Sequence, residues 1–590
     1  MYSNWLTRVA LVVSATACTR ATPGGAPSPD RGSYDVVIEN GRIVDGTGNP
    51  WTYGDVGIRG DRIATITPRG GLHDASARQR VDARGHIVSP GFIDIQAHSW
   101  EALLWRDGRV LSKVTQGVTS EILGEATTLA PSNEKMDSVV DIGSMEPPRA
   151  ALQSGFRGEH AFGAWLDALG RHPKSVNVGS YLGATTVRGY VMGQAPGAPN
   201  AYQLDSMRAV VRNAMRDGAF GISSALIYPP GSYAGTPELI EMAKAMAPYH
   251  GGYITHMRSE DDSLFEAMDE AFRIAKEGGV RLDIYHLKAS NRKNWGKAPA
   301  MVAKIDSARA SGLDVGATMY PYPFSGNNLG ECFPDWAAEN GKLMDNLKNP
   351  ETLSRILREM ADPNGAPLCQ IEGPSAYMIA DFRKPEHAKY EGKLLSDIAT
   401  DMGKPWPETV VELITSEGRD LSKINFTMSE DNLRREVALP WVSFCSDSPA
   451  PAAEGQFLDF STHPRAYGSF ARLLAKYVRE EGIVPLEEAV RRLTSFPAEN
   501  LRIADRGVLE RGRFADVVVF DPDRVQDHAT YDEPHQYATG VSNVAVNGTL
   551  VLRDGEHTGA LPGRVVRGPG YVPEGRVGVA NNLHYDFRRQ

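Results

Sequence analysis

Short apolar strands alternate with helical stretches through the middle of this chain, and no other feature restricts its fold so strongly. Strand patterns fall at Ser175–Tyr181, Gly221–Ser223, Gly252–His256, Arg281–His286, Asp314–Met319 and Trp441–Cys445. Helical patterns fall at Thr236–Ala247 and Asp262–Glu277, where Leu264, Ala267, Met268, Ala271 and Ile274 form one apolar face at helical spacing. Repeated β–α units predict an α/β protein built on a distorted (β/α)8 TIM-like barrel. An open doubly wound sheet is the second choice, weakened because no Gly-x-Gly-x-x-Gly loop follows an early strand.

Both ends of the chain read differently. Alternating residues at Tyr34–Gly41, with Asn40-Gly41 as a hairpin turn signal, precede Arg42-Ile43-Val44. Val56–Ala64 repeats the strand–turn–strand pattern, and Val81–Val88 predicts a further strand pair. Near the other end, Ala515–Asp521 is a strand and Val541–Val551 a hairpin around Asn547-Gly548. Neither half has enough core to stand alone, so the two predict one small β-sandwich split by the barrel. The expected boundaries are 34–89 and 501–590 for its halves, the latter with a C-terminal extension, and 90–500 for the barrel. The stretch 330–410 is longer than a barrel loop needs. It contains the helical pattern Leu353–Met360 and the segment Ala376–Glu391, and reads as an insertion, either a lid at the active face or a peripheral excursion.

Residues 1–33 read as a leader and tether. Arg8 precedes the apolar run Val9–Val13, too short to span a bilayer, as in a secretory signal. Ala15–Cys18 resembles a lipoprotein cleavage box without its usual Leu, which leaves three outcomes: membrane attachment through lipidated Cys18, cleavage and release, or a marginal leader that is not processed. The first two imply an exported protein, periplasmic or anchored to a bacterial envelope, and that is the expectation. Of the 4 cysteines, Cys332, Cys369 and Cys445 remain, enough for one disulfide whose members the sequence does not select. A net charge of -10 argues against nucleic acid as a main partner. Oligomeric state is not legible.

His98, His256, His286 and Asp447 each lie at or just past the end of an expected strand. In a barrel those ends converge on the C-terminal face, and imidazole with carboxylate is a good zinc donor set.

Several segments carry a family resemblance: Asn40–Gly48, Pro90–Asp94, Gly117–Thr119, Gly218–Ser223, Ile227–Gly231, Tyr253–Glu260, His286–Lys288, Ser446-Asp447, His463–Arg465 and Arg506-Gly507. Together they resemble the amidohydrolase superfamily, and within it the N-acyl-D-amino-acid deacylase (D-aminoacylase) family, from about Tyr34 to Leu552. The resemblance implies a zinc centre in which His256 and His286 hold the tighter metal, with His98 and Asp447 at a second, weaker one. It also implies a cysteine after Gly117–Thr119. This chain has Glu121–Thr127 there, with Glu125 as the replacement ligand and Glu121 as the alternative.

The first metal strand departs from the family as well. The expected histidine at position 96 is Gln96, a poorer ligand, so one tightly bound Zn2+ is expected, with the second site weakly filled or empty. Asp447 would act as general acid/base on water activated by the metal, while Tyr228, Lys288, Ser325 and Arg465 would bind the substrate. The implied reaction is hydrolysis of the amide of a small N-acyl-amino acid, of D configuration. A dipeptidase acting on short peptides, a broad amidase and a catalytically inactive binding protein are the alternatives. A serine hydrolase is disfavoured because no Gly-x-Ser-x-Gly elbow occurs.

Overall fold

The computed structural model describes residues 33–136, 155–362, 369, 372–418, 421–459 and 461–573. The expected leader, tether and Cys18 lie outside them. Among the described residues no helix is long and apolar enough to cross a membrane.

The chain starts with five strands, β1 (Tyr34–Ile43), β2 (Thr52–Arg59), β3 (Arg62–Pro68), β4 (Ala77–Asp82) and β5 (Ile87–Pro90). Two local expectations are corrected. Asn40-Gly41 is not a hairpin turn: β1 runs through it, with a shift in register between Ile38 and Gly41. Asn40 takes φ 64, which asparagine tolerates, and a Cβ on Gly41 would meet Val88 at 2.3 Å. This is a bulge under close packing, and local sequence cannot distinguish it from a turn. Nor do β4 and β5 pair with each other; each lies parallel to β1.

Nine strands fill the eight parallel positions of the barrel, since the eighth and ninth strands of the chain, with only Tyr181 between them, share one position. β6 (Phe92–Asp94), β7 (Val118–Leu123) and β8 (Asn177–Ser180) form one run. β9 (Leu182–Gly183), β10 (Gly221–Ala225), β11 (Gly252–His256), β12 (Leu282–Ile284) and β13 (Val315–Met319) begin the second. Helices α1 (Thr236–Met246) and α2 (Leu264–Gly278) cover it, and α2 buries Leu264, Ala267, Met268, Ala271 and Ile274, the face expected from spacing.

After β13 the chain leaves the barrel. β14 (Ser325–Asn328), β15 (Tyr377–Ala380), β16 (Lys393–Leu394) and β17 (Ser422–Asn425) form a separate antiparallel sheet in the order β14-β17-β15-β16. Ile379 of this sheet and Leu329, Ile356 and Leu413 of the helical segments around it belong to a core of their own. Cys332 pairs with Cys369 across it, while Cys445 is free and buried. β18 (Val442–Phe444) then returns beside β13. An Ala97–Ser448 bridge closes the barrel between β6 and β18.

Finally β19 (Val517–Phe520), β20 (Val541–Val546), β21 (Thr549–Arg553) and β22 (Glu556–His557) join the first five strands through antiparallel β19–β5 pairing, giving one nine-stranded sheet. The sheet curls until the Gly60 turn meets Gly548 and encloses Val36, Ile58, Val88, Val519 and Leu550. Asp516 anchors it to the barrel, taking hydrogen bonds from Asn177 at 3.2 Å and from Arg506. Beyond the sheet, the terminal segment runs back along β8, with Val178 donating to Arg564 and Val566 to Val178.

Candidate metal centre

Every residue singled out for metal binding leaves a barrel strand at its C-terminal end, where (β/α)8 enzymes place their chemistry. His256 is the last residue of β11, and His286 lies two past β12. Gln96 and His98 follow β6, Glu125 follows β7 by two, and Asp447 follows β18 by three. His286 and Asp447 have φ of 33° and 49°. Side chains with a Cβ rarely adopt such values, so the surrounding contacts must hold them there.

Glu125 lies at the middle. Its Oε1 is 3.4 Å from His256 Nδ1 and 3.3 Å from His286 Nε2, and its Oε2 is 3.4 Å from His98 Nε2. Glu125, His256 and His286 form one group able to hold a metal ion; His98, Glu125 and Asp447 form another. Two imidazoles and a carboxylate suit a divalent ion such as zinc and leave a coordination position open. Burial opposes ionisation of Glu125, but hydrogen bonds with His256, His286 and His98 hold its carboxyl well below the usual range. Glu121 is elsewhere, fully buried, accepting from Ser99 at 2.7 Å and lying 3.4 Å from Lys113 Nζ.

A second carboxylate backs the histidines. Glu260 Oε1 is 3.1 Å from His286 Nδ1, and its Oε2 is 3.6 Å from His256 Nε2. Such outer carboxylates orient ligand imidazoles and raise their basicity. Lys288 donates to Glu260 at 2.7 Å and lies 2.7 Å from His286 Nδ1. Glu260 belongs to the Tyr253–Glu260 segment that carried the resemblance, but nothing in that segment showed which way its side chain turns.

Asp447 Oδ1 accepts from Gln96 Nε2 at 3.0 Å and lies 3.0 Å from His98 Nε2; its Oδ2 accepts from Arg465 at 2.7 Å. Burial is the largest influence and would raise its pKa, but Arg465, His286 and His98 together hold the carboxyl below the usual range. His98 shows the opposite balance: burial disfavours its charge, yet Asp447 and Glu125 push it up to about 9. The backbone around Asp447 is clasped from all sides. Asp447 N donates to Gln96 O at 2.9 Å, His98 N to Ser448 O at 3.1 Å, and Ser446 N to Asp94 at 3.0 Å. Buried Lys113 donates to Asp94 at 2.9 Å and to Ser448 O at 3.0 Å. Sequence reading gave Lys113 and Asp94 no role: Asp94 stood only as the end of the Pro90–Asp94 segment that carried the resemblance, and Lys113 only as a charge within apolar surroundings.

The remaining candidates line the approach. The Tyr228 ring lies edge-on to His256 at 5.1 Å. Burial and the nearby Glu331 and Glu125 carboxylates push its phenol well above 10, so its hydroxyl stays a donor. Ser325 begins β14 and accepts from Asn425 at 3.0 Å. Gly326 is the point where the inserted sheet meets the centre: a Cβ there would lie 3.6 Å from Arg465 Nη2. Arg465 itself stacks over the Tyr320 ring at 4.6 Å.

Known proteins share this architecture. The chain is 33% identical over 542 residues to the D-aminoacylase of Alcaligenes xylosoxydans xylosoxydans, covering 91% of this chain and 98% of that one. It belongs to the D-aminoacylase family of amidohydrolases. Residues 457–552 match the model of the Amidohydrolase family. A solved D-aminoacylase with a binuclear metal centre superposes with a TM-score of 0.73 at 31% identity, covering 90% of this chain and 100% of that one. The N-acyl-D-glutamate deacylase of Bordetella bronchiseptica, solved with zinc and a phosphonate mimic of the tetrahedral intermediate, gives 0.71 at 30%, covering 91% and 100%.

Proposed function

We propose that this protein hydrolyses the amide bond of N-acyl-D-amino acids, releasing a carboxylate and a free amino acid. The observation that carries this reading is Glu125 Oε1 within 3.4 Å of both His256 Nδ1 and His286 Nε2, on the barrel face where Asp447 also emerges. One divalent metal, zinc by the chemistry of the donors, would be held by Glu125, His256 and His286 and would supply Lewis acidity to the scissile carbonyl and to water. The similar D-aminoacylase is described by one-metal activation and second-metal attenuation, which accords with a single-metal enzyme.

Asp447 is the general base. Ionised beside Arg465, it takes a proton from the attacking water and passes it to the departing nitrogen. Tyr228, with its hydroxyl kept protonated, donates to the substrate. Arg465 faces the substrate carboxylate beside Ser325, and Lys288 keeps His286 and Glu260 in register while offering further positive charge. The D preference rests on the relatives, which are D-aminoacylase and N-acyl-D-glutamate deacylase.

The Cys332–Cys369 disulfide supports an exported location, because such bonds persist in oxidising compartments. Processing at Cys18 would then decide between release and anchoring.

The deciding experiment is a panel of N-acyl-D- and N-acyl-L-amino acids, dipeptides and neutral amides, run on chelator-treated and zinc-reloaded protein. Turnover of D substrates restored by zinc is expected. Silence across the whole panel at every loading would sink the hydrolase reading, and preference for neutral amides would sink the role of Arg465.

A further inference from the structure

Gln96 could be a damaged ligand or a working part, and its contacts discriminate. Its Nε2 donates to Glu125 Oε2 at 2.6 Å and to Asp447 Oδ1 at 3.0 Å. Its Oε1 accepts from the Thr318 hydroxyl at 2.9 Å and from the Cys445 thiol at 3.3 Å. The side chain is 1% exposed, and both its amide hydrogens and both lone pairs of its oxygen are used.

The amide orientation follows from its neighbours. Thr318 Oγ1 accepts from His286 N at 2.8 Å, and its single hydrogen goes to Gln96 Oε1. A reversed amide would leave that hydrogen and the Cys445 thiol facing an NH2 group, and would set an oxygen against two carboxylates. Each buried group so orphaned costs about 1–3 kcal/mol.

His98 completes the arrangement. Its Nε2 lies 3.0 Å from Asp447 Oδ1 and 3.4 Å from Glu125 Oε2, the same two oxygens that Gln96 bridges. Two nitrogens and two carboxylate oxygens therefore close a ring in the space between His98, Glu125 and Asp447. A cation there would meet the N–H groups of Gln96, and the amide would have to turn over to offer it an oxygen.

We propose that Gln96 substitutes for a second metal ion: its NH2 group ties Glu125 to Asp447, leaving Asp447 metal-free and available as a base. Through Thr318 the same amide is linked to the backbone of His286, so a neutral side chain ties the first metal's ligands to the proton carrier. Gln96 is thus a positioning residue, and the inference rests on the reading of Glu125, His256 and His286 as the metal site.

The test is metal stoichiometry, which needs no substrate. Full-length protein stripped with chelator is titrated with ZnCl2 by calorimetry, and bound zinc is counted by atomic emission after gel filtration. Wild type should bind about one equivalent, and Gln96→His, which offers a lone-pair nitrogen without rearrangement, about two. His98→Asn should leave the wild-type value unchanged and return Gln96→His to about one. Two tight equivalents in wild type, with one lost in His98→Asn, would overturn the proposal even if Gln96→His fails to fold. So would a folded Gln96→His that binds only one. No bound zinc in wild type would overturn the metal reading beneath it, a result distinct from both.

Discussion

Arg465 and Asp447 form a buried ion pair, Nη1 to Oδ2 at 2.7 Å, with each side chain 9% exposed. The arginine is held over Tyr320 and has a buried Nε with no hydrogen-bond partner among the described residues. A guanidinium can therefore keep Asp447 ionised while its remaining edge faces a substrate carboxylate. A lysine has no such fork.

Replacing Arg465 tests that double duty. Arg465→Lys should lower kcat/KM by roughly a hundredfold, with KM rising as well as kcat falling. In Arg465→Met the largest of the charges that offset the burial of Asp447 is gone, leaving His286 and His98. The Asp447 pKa rises, and the acid limb of the kcat profile should move to higher pH. An unchanged limb would mean that Asp447 is not the group titrating there.

Asp447→Asn should keep the fold and the metal bound by Glu125, His256 and His286, while kcat falls by about 10²–10⁴-fold. Zinc analysis beside the kinetics separates the two effects. Loss of the metal along with activity would make Asp447 a ligand first.

Lys113, Asp94 and Glu121 are all fully buried, with Lys113 2.9 Å from Asp94 and 3.4 Å from Glu121. Lys113→Met leaves two acids without a counter-charge and should cost about 3–5 kcal/mol in denaturant unfolding. Because Lys113 also holds Ser448 O, a folded Lys113→Met should lose kcat more than KM.

Glu121 gives a pH signature. Burial raises its pKa from 4.5 to about 7, so the folded state holds its proton where the unfolded chain has lost it. Stability from this group is complete below about 4.5 and falls as pH rises through about 7, by at most about 3 kcal/mol. Glu121→Gln should flatten that stretch of the stability curve; an unaltered slope would show that Lys113 already compensates the charge.

The Cys332–Cys369 bond closes a loop of 37 residues in sequence separation within the inserted sheet. Replacing both cysteines by serine should destabilise that unit by about 2–4 kcal/mol. Limited proteolysis should then cut within 325–425 before the barrel unfolds.

The barrel was legible because its elements are periodic. β11, β13 and α2 fall where strand and helix spacing put them, and the strand ends named His256, His286 and Asp447 together. Glu125 was legible only through the family, since nothing local separates it from Glu121. The bulge at Asn40-Gly41 has the sequence of a turn because a turn and a bulge use the same residues, and only the packing of Val88 against Gly41 distinguishes them. The disulfide partner was beyond reach for a similar reason: three cysteines give three pairings, and only the insertion's own fold brings two together.

Sequence alone determined the donor types and the strand ends that carry them, because these depend on residue identity and periodicity along one strand; the resemblance to the family marked Gln96 as standing where a histidine is expected. The tertiary structure decided which atoms face which. Thr318 and Cys445 from two other strands hold the amide oxygen of Gln96, so its NH2 group, not its oxygen, faces Glu125 and Asp447. Hydrogen-bond direction is set by partners hundreds of residues away, and that contact exists only when the barrel closes.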